Sequence, residues 1–225
     1  LAHEVRNPLG GLRGAAQLLE QELDEDSLKE YTQIIINEAD RLQNLMNRML
    51  TPHQMPVYKK TNIHEILERV RSLILSEFSS DITFIRDYDV SLPEFIVDRE
   101  KLIQAILNIA RNGAQAMKLN NQDNMQLSFI TRAERQIVFR KKKHATAIRI
   151  DIIDNGPGIK NELIDKIFFP LVTGKENGSG LGLSLSQNLI SLHQGMIDCH
   201  SVPGKTVFSI ILPIENNLMP TKEKK

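Results

Sequence analysis

The sequence predicts two parts of different fold class, an α-helical hairpin followed by a two-layer α/β domain. Residues 1–50 carry apolar side chains at helical spacing, whereas helices and strands alternate from residue 61 onwards. Two prolines in "TPHQMPVYKK" at 51–60 are typical of a linker between them. We therefore expect a helical hairpin at 1–51, a linker at 52–60, an α/β domain at 61–215 and a tail at 216–225.

Two amphipathic helices make up the predicted hairpin. The first is marked by Ala2, Val5, Leu9, Leu12, Ala16, Leu19 and Leu23, and the second by Leu28, Tyr31, Ile35, Leu42, Leu45 and Met49, with the polar Glu38 in register. The segment "DEDS" at 24–27 interrupts the pattern and supplies capping side chains for the second helix. Two helices cannot cover their own apolar seams, so we expect a second copy to complete a dimeric four-helix bundle. Packing of the seam on the second domain is the alternative.

The domain after the linker mixes helices with strands. The predicted helices are 63–74, 98–117 and about 183–193, and the predicted strands are "ITFIRDY", "MQLSFITR", "RQIVFR", "TAIRIDIID", "MIDCHS" and "TVFSIILP". This order favours several antiparallel strands under a helical layer. The segment "RKKKH" at 140–144 lies between two strands and is interpreted as a solvated hairpin turn, with a partner surface as the alternative.

The composition excludes several classes of protein. Lys and Arg (28) balance Asp and Glu (28), so the net charge favours neither nucleic acid nor an anionic membrane as a partner. Cys199 is the only cysteine, which excludes a disulfide within one chain and fits the cytoplasm. No apolar run approaches the ~20 residues of a membrane helix, and no signal-peptide pattern is present. Because Leu1 already lies in a helical pattern, we expect a fragment of a longer protein.

Two glycine-rich stretches indicate an anion site. "GSGLGL" at 178–183 precedes a helix, so backbone N–H groups and the positive helix end can approach a polyphosphate. "DNGPGI" at 154–159 follows a strand. The segment "PGKT" at 203–206 is not a Walker loop, because Cys199 stands where that motif needs glycine and a strand follows it.

Asp154 and a pair of asparagines add to this site. The carboxylate of Asp154 can accept a hydrogen bond from the amino group of adenine but would repel the carbonyl of guanine. Asn108 and Asn112 share one side of the helix 98–117, four residues apart. Their amide oxygens are hard, neutral ligands that suit Mg²⁺ bridging to phosphates.

These motifs resemble those of two-component sensor histidine kinases. "HEVRNP" at 3–8 is similar to the phospho-acceptor box of that family, "NIARNGAQA" at 108–116 to its asparagine box, and "FFP" at 168–170 to its phenylalanine box. The resemblance covers essentially the whole chain and is greatest to the nitrogen-regulation branch. It implies that the second domain has the ATP-binding fold shared with gyrase and heat-shock protein 90, known as the GHKL or Bergerat fold.

The resemblance also implies the roles of individual residues. Catalysis is assigned to His3, Glu4 and Asn7, and ATP binding to Asn108, Asn112, Asp154, Gly156, Gly158, Gly178, Gly180, Leu181, Gly182 and Thr206, with Asn112 also a ligand of Mg²⁺. The implied partners are a second copy of the chain, the receiver domain of an NtrC-type response regulator and the PII signalling protein. One departure is Gly113, where the family usually has alanine; it lowers helix propensity by about 1 kcal/mol and is not expected to affect the chemistry.

The first box contains the candidate nucleophile. His3 lies one position off the apolar seam, and Glu4 beside it can accept a proton from one imidazole nitrogen, leaving the other as nucleophile. Asn7 lies one turn further along the same face. The resemblance implies that this amide orients water for dephosphorylation of the regulator. Pro8 removes the hydrogen bond to the carbonyl of Glu4 and is expected to bend the helix just past the histidine.

Three other functions compete with this one. An ATP-hydrolysing clamp of the gyrase or heat-shock type would need a glutamate where this chain has Asn108, because hydrolysis requires a general base. A catalytically silent dimeric signal-relay module would not need two intact glycine boxes. A serine-directed anti-sigma kinase resembles the second domain but lacks the histidine hairpin.

Overall fold

A computed structural model of the chain describes residues 2–23, 25–49, 55–78, 82–139, 142–174 and 179–214. The chain divides into two compact units, Leu1–Gln54 and Met55–Lys225. The first unit contains α1 (Ala2–Glu22) and α2 (Asp26–Met49). The helices of the second unit are α3 (Ile63–Phe78), α4 (Arg99–Leu119), α5 (Asn161–Ile164) and α6 (Gly182–Leu192). Its strands are β1 (Lys59–Thr61), β2 (Ile82–Asp87), β3 (Phe95–Val97), β4 (Met125–Phe139), β5 (Lys142–Asp154), β6 (Met196–Val202) and β7 (Lys205–Pro213).

The first unit is the predicted helical hairpin. Ala16 of α1 and Ile36 and Ala39 of α2 are buried within it. The larger apolar side chains stay exposed in the single chain: Leu12, Leu18, Leu19, Leu28, Tyr31, Ile34, Ile35 and Leu42. The hairpin therefore presents a large apolar surface, of the kind that marks an interface.

The second unit is the predicted two-layer α/β structure. Its main sheet has the strand order β2-β4-β5-β7-β6, and β1 and β3 form a separate two-stranded antiparallel sheet. The pairs β4–β5, β5–β7 and β6–β7 are antiparallel, whereas β2 runs parallel to β4. The core between sheet and helices contains Ile66, Leu67, Val70, Leu102, Ile106, Ala110, Leu127, Phe129, Ile148, Ile150, Ile210 and Leu212, all essentially inaccessible to solvent.

Several sequence-based expectations need correction in this unit. β4 is one strand where the sequence predicts two, because its pairing with β5 continues through residues 131–135, four of which are polar. The predicted turn at 140–144 is also too wide, since residues 142–144 lie in β5. Lys59 and Lys60, assigned to the linker from the sequence, lie in β1. Among the residues that the structure describes, no helix is both long and apolar enough to cross a membrane.

Candidate functional site

α4 carries the two asparagines of the site and brings them to the start of α6. Asp98 caps α4 by accepting a hydrogen bond from the N–H of Lys101 at 3.1 Å. The side chains of Asn108 and Asn112 are half-buried on α4. The Asn108 amide nitrogen lies 3.5 Å from the carbonyl oxygen of Gly182, and a Cβ added to Gly182 would lie 3.8 Å from the Asn112 amide nitrogen. Both amides therefore face the first residue of α6.

Asp154 ends β5 and lies against α4. One of its carboxylate oxygens, Oδ1, accepts the N–H of Gly156 at 3.0 Å. The other, Oδ2, lies only 2.9 Å from the position that a Cβ on Gly113 would take. Burial raises the pKa of Asp154, and the hydrogen bond from Gly156 opposes this shift. The carboxyl group thus sits in a tight, largely water-free place next to the asparagine helix.

The same contact changes the interpretation of Gly113. The sequence indicated only a loss of helix propensity there, without consequence for the chemistry. In the structure, the missing side chain lets α4 approach the Asp154 carboxylate closely. An alanine would require α4, or the carboxyl group, to shift by a few tenths of an ångström.

The first glycine box is held by the turn between β6 and β7. The carbonyl of Gly156 accepts the N–H of Gly204 at 2.9 Å, and the hydroxyl oxygen of Ser201 accepts the N–H of Ile159 at 2.9 Å. Gly158 has a φ of +84°, and a Cβ there would lie 3.0 Å from the backbone carbonyl carbon of Val202. The "PGKT" segment, which resembles part of a phosphate loop, is thus a support for this box.

Thr206, on β7, lies opposite the end of β5. It pairs with Asp154 in the β5–β7 register and is buried. Its hydroxyl oxygen lies 2.9 Å from that of Ser201. Ser201 is not recognisable from the sequence, because its role depends on the register of the β6–β7 hairpin, which no local pattern encodes.

The second glycine box joins the start of α6 to the segment after "FFP". Gly180 has a φ of +64°, and its carbonyl accepts the N–H of Leu171 at 3.0 Å. A Cβ on Gly180 would lie 2.4 Å from the carbonyl carbon of Leu171. Leu181 is buried and has no side-chain acceptor to cap the helix that follows. The backbone N–H groups at the start of α6 can therefore serve an anion.

The structure brings most of the predicted ATP-binding residues together. Around the start of α6, the end of β5 and one side of α4 lie Asn108, Asn112, Asp154, Gly156, Gly158, Gly180, Leu181, Gly182 and Thr206. Gly178 lies outside the described residues. His3, Glu4 and Asn7 belong to α1 of the first unit. The Asn7 side chain is exposed, and those of His3 and Glu4 lie outside the described part of the structure.

Comparison with family models matches both units. Residues 97–216 match the model described as "Histidine kinase-, DNA gyrase B-, and HSP90-like ATPase", and residues 1–55 match "His Kinase A (phospho-acceptor) domain". Together the two models span the predicted phospho-acceptor box and all the predicted nucleotide-binding residues.

Several curated proteins are similar along nearly the whole chain. The "Sensory histidine kinase/phosphatase NtrB" of Vibrio alginolyticus is 51% identical over 214 residues, which are 95% of this chain and 61% of that protein. The protein of the same name from Escherichia coli O157:H7 is 48% identical over 215 residues, 95% of this chain and 60% of that protein. The chain thus spans about three-fifths of the length of these relatives.

Solved structures share the fold at low identity. The structure titled "Crystal structure of ShkA full-length in complex with AMPPNP" has a TM-score of 0.62 and 23% identity, and covers 95% of this chain and 44% of its own. A nucleotide-free catalytic domain of the histidine kinase ThkA has a TM-score of 0.56 and 24% identity, and covers 70% of this chain and 96% of its own.

Proposed function

Because the chain belongs to the histidine kinase-, DNA gyrase B- and HSP90-like ATPases and carries a phospho-acceptor unit ahead of that domain, we propose that it is the transmitter part of a sensor histidine kinase. It phosphorylates His3 from ATP and passes the phosphoryl group to an aspartate of a response regulator. The observation that carries this proposal is the meeting of Asp154, the α4 asparagines and the start of α6 in one place.

In the proposed ATP site, Asp154 recognises the base. Its Oδ2 is the acceptor left over after Oδ1 has bonded Gly156, and it can take a hydrogen from the amino group of adenine. The backbone N–H groups of Gly180, Leu181 and Gly182 hold phosphate oxygens at the positive end of α6. Thr206 supports the base from the neighbouring strand.

The asparagines fit a magnesium site. Their amide oxygens are neutral, hard ligands at the place where the phosphates would lie, next to Gly182. When bound, Mg²⁺ would neutralise phosphate charge there, with Asn112 as its protein ligand. Asn108 also distinguishes this site from that of an ATP-hydrolysing clamp, because an amide cannot act as the base that activates water.

In the proposed chemistry on α1, His3 is the nucleophile. Glu4 accepts the proton of one imidazole nitrogen, which leaves the other nitrogen free to attack the γ-phosphorus of ATP. The bond to the β–γ bridging oxygen breaks, and ADP leaves. Asn7, exposed one turn further along α1, orients a water molecule when the protein acts as a phosphatase of the regulator.

The proposed partners are a second copy of the chain, a response regulator and the PII protein. The exposed apolar residues of the hairpin support a homodimer through a four-helix bundle. Building on the similarity to proteins named NtrB, the proposal places this protein in the cytoplasm. It takes an NtrC-type regulator as the phosphoryl acceptor and PII as the protein that switches kinase to phosphatase.

Labelling with γ-³²P-ATP and Mg²⁺ tests the proposal, using the wild type and His3→Gln in a protein whose first helix is extended upstream. We expect label on the wild type that is stable in alkali and labile in acid, and none on His3→Gln. Free phosphate without labelled protein would instead indicate an ATPase. Tight ATP binding without turnover would indicate a signal-relay module.

The Asn7→Ala variant separates the two proposed activities. We expect autophosphorylation within twofold of the wild type, because Asn7 does not accept the phosphoryl group. Dephosphorylation of the regulator should fall about tenfold, because the attacking water loses its orienting amide. The decay of a labelled receiver domain measures this rate, and a normal decay with Asn7→Ala would show that another residue orients the water.

A further inference from the structure

The chain enters the second unit across the ends of the two helices that carry the nucleotide-binding residues. The N–H of Val57 donates to Oδ2 of Asp98 at 2.9 Å, and the hydroxyl of Tyr58 donates to the carbonyl of Leu192 at 3.1 Å. Asp98 is the N-cap of α4, and Leu192 is the last residue of α6. Val57 and Tyr58 are thus hydrogen-bonded to α4 and α6, respectively, just before β1 begins.

A buried histidine joins these contacts. The N–H of Asp98 donates to Nε2 of His193 at 3.0 Å, and Nδ1 of His193 lies 2.8 Å from the carbonyl oxygen of Leu189. Nδ1 therefore carries the proton and Nε2 accepts. Burial lowers the pKa of His193, which favours this neutral form. The Tyr58 ring meets the His193 ring edge-on, with 5.9 Å between the ring centres.

We call Val57, Tyr58, Asp98, Leu192 and His193 the entry anchor. Asp98 and His193 are 7% and 1% exposed, and the two hydrogen bonds of the His193 ring are buried, which strengthens them. The single carboxylate of Asp98 both caps α4 through Oδ1 and holds the incoming chain through Oδ2.

The helices α4 and α6 connect the entry anchor with the candidate nucleotide site. α6 runs from Gly182 at the site to Leu192 at the anchor, about 15 Å at the rise of an α-helix. Between these ends, the hydroxyl of Ser186 lies 3.0 Å from the carbonyl oxygen of Ala105 and ties α6 to α4. The two helices therefore form one body with the anchor at one end and the nucleotide residues at the other.

We propose that Asp98 and Tyr58 are positioning residues for phosphoryl transfer, because they fix where the polypeptide arriving from the helical unit attaches to this body. This rests on the proposed histidine kinase function. Phosphoryl transfer depends largely on holding donor and acceptor in line. If the incoming chain is less firmly attached, the histidine and the γ-phosphate are aligned for a smaller fraction of the time. In the described residues, the side chains of Asp98 and Tyr58 bond Val57, Lys101 and Leu192, which are not among the ATP-site residues, so the attachment governs kcat and leaves ATP affinity unchanged.

Two substitutions test the anchor with little disturbance of the fold. In Asp98→Asn, the amide oxygen still caps α4, since asparagine and aspartate are comparable N-caps, but its NH₂ group cannot accept the N–H of Val57. Tyr58→Phe removes the bond to Leu192 and keeps the ring against His193. Tyr88→Phe is the matched control, because it removes one tyrosine hydroxyl bond, to Glu68, away from the anchor.

We expect each anchor variant to lower kcat of autophosphorylation about threefold, and the double variant about tenfold, with the KM for ATP within twofold of the wild type. Tyr88→Phe should change neither. If KM rises as much as kcat falls, the residues only support the ATP site, and the proposal is wrong. If the wild type is active and kcat is unchanged in both Asp98→Asn and Tyr58→Phe, the proposal is also wrong.

Hydrogen exchange in the same protein samples gives a readout that does not depend on phosphorylation. The amide of Val57 should exchange at least about tenfold faster in Asp98→Asn than in the wild type, because it loses its acceptor. Unchanged exchange would overturn the anchor itself. A wild type that forms no phosphohistidine would contradict the proposed function and the positioning role with it, while the exchange rate still decides whether the anchor exists.

Discussion

Replacement of Asp154 by asparagine is expected to weaken ATP binding by at least about 100-fold. With the amide oxygen on the N–H of Gly156, the NH₂ group takes the place of Oδ2 and meets the amino group of adenine, donor against donor. In the flipped orientation, the NH₂ group meets the N–H of Gly156 instead. Losing a charge-assisted bond and leaving a donor unpaired together cost about 3 kcal/mol, which is about 100-fold. Calorimetric titration with ATP and Mg²⁺ measures this loss.

The same substitution should not destabilise the protein. Because burial raises the pKa of Asp154 in the folded state, its ionised form opposes folding at neutral pH. The free energy of unfolding of Asp154→Asn at pH 7 should therefore equal or exceed that of the wild type. A loss of ATP binding together with lower stability would point to a damaged fold rather than to base recognition.

Asp151→Asn is the matched control for Asp154→Asn. Asp151 lies on the same strand but on the opposite face of the sheet, where it accepts hydrogen bonds from Ser209 and Arg149. Its substitution should leave ATP affinity within twofold of the wild type. If Asp154→Asn also binds ATP within threefold of the wild type, Asp154 is not the residue that recognises the base.

Gly180→Ala is expected to lower kcat/KM for autophosphorylation by about 30-fold or more. Its φ of +64° is unfavourable for alanine by about 1–2 kcal/mol, and its Cβ would lie 2.4 Å from the carbonyl carbon of Leu171. Backbone atoms cannot rotate away as a side chain can, so the glycine box must separate from the segment after "FFP". That movement displaces the N–H groups proposed to hold the phosphates.

Gly204→Ala separates the steric effect from the cost of the backbone angle. Gly204 has a φ of +84°, yet a Cβ there would have no atom within 4 Å. It bears a similar conformational cost without a clash, so kcat/KM should fall by no more than about threefold. Steady-state labelling of both variants measures the difference, and equal losses would mean that the close approach of Gly180 to Leu171 has no part in the reaction.

Periodic side chains made the helices and the order of the layers predictable. The buried apolar rows of α3 and α4 are long enough to distinguish helix from strand, and the glycine boxes lie where the strand and helix patterns stop. β1 and β3 have three residues each, too few for an alternating pattern, and they are held by pairing with each other. The sequence predicts two strands in place of β4, because pairing with β5 keeps β4 extended where its own alternation of apolar and polar residues stops.

The residues of the candidate site were predictable as types but not as contacts. Glycines, an aspartate and paired asparagines each have a chemical use that their spacing suggests. The approach of Gly113 to Asp154 and the support of Ile159 by Ser201 join residues far apart in the sequence. Such contacts depend on the register of the sheet and on how closely α4 packs, neither of which a local pattern encodes.

The long β4–β5 hairpin has a consequence for self-association. β4 pairs with β2 only as far as Ile130, and β5 pairs with β7 only from Ala147, so in the described residues the strands of the outer hairpin pair only with each other. Next to this part, the N–H of Ala133 donates to Asp89 and the carbonyl of Thr146 accepts the N–H of Ile214. Open edges are templates for aggregation. Exposed Arg135 and Lys143, and the left-handed backbone at Gln136, oppose addition of a further strand. Charge and an irregular backbone thus protect the outer hairpin from edge-to-edge aggregation.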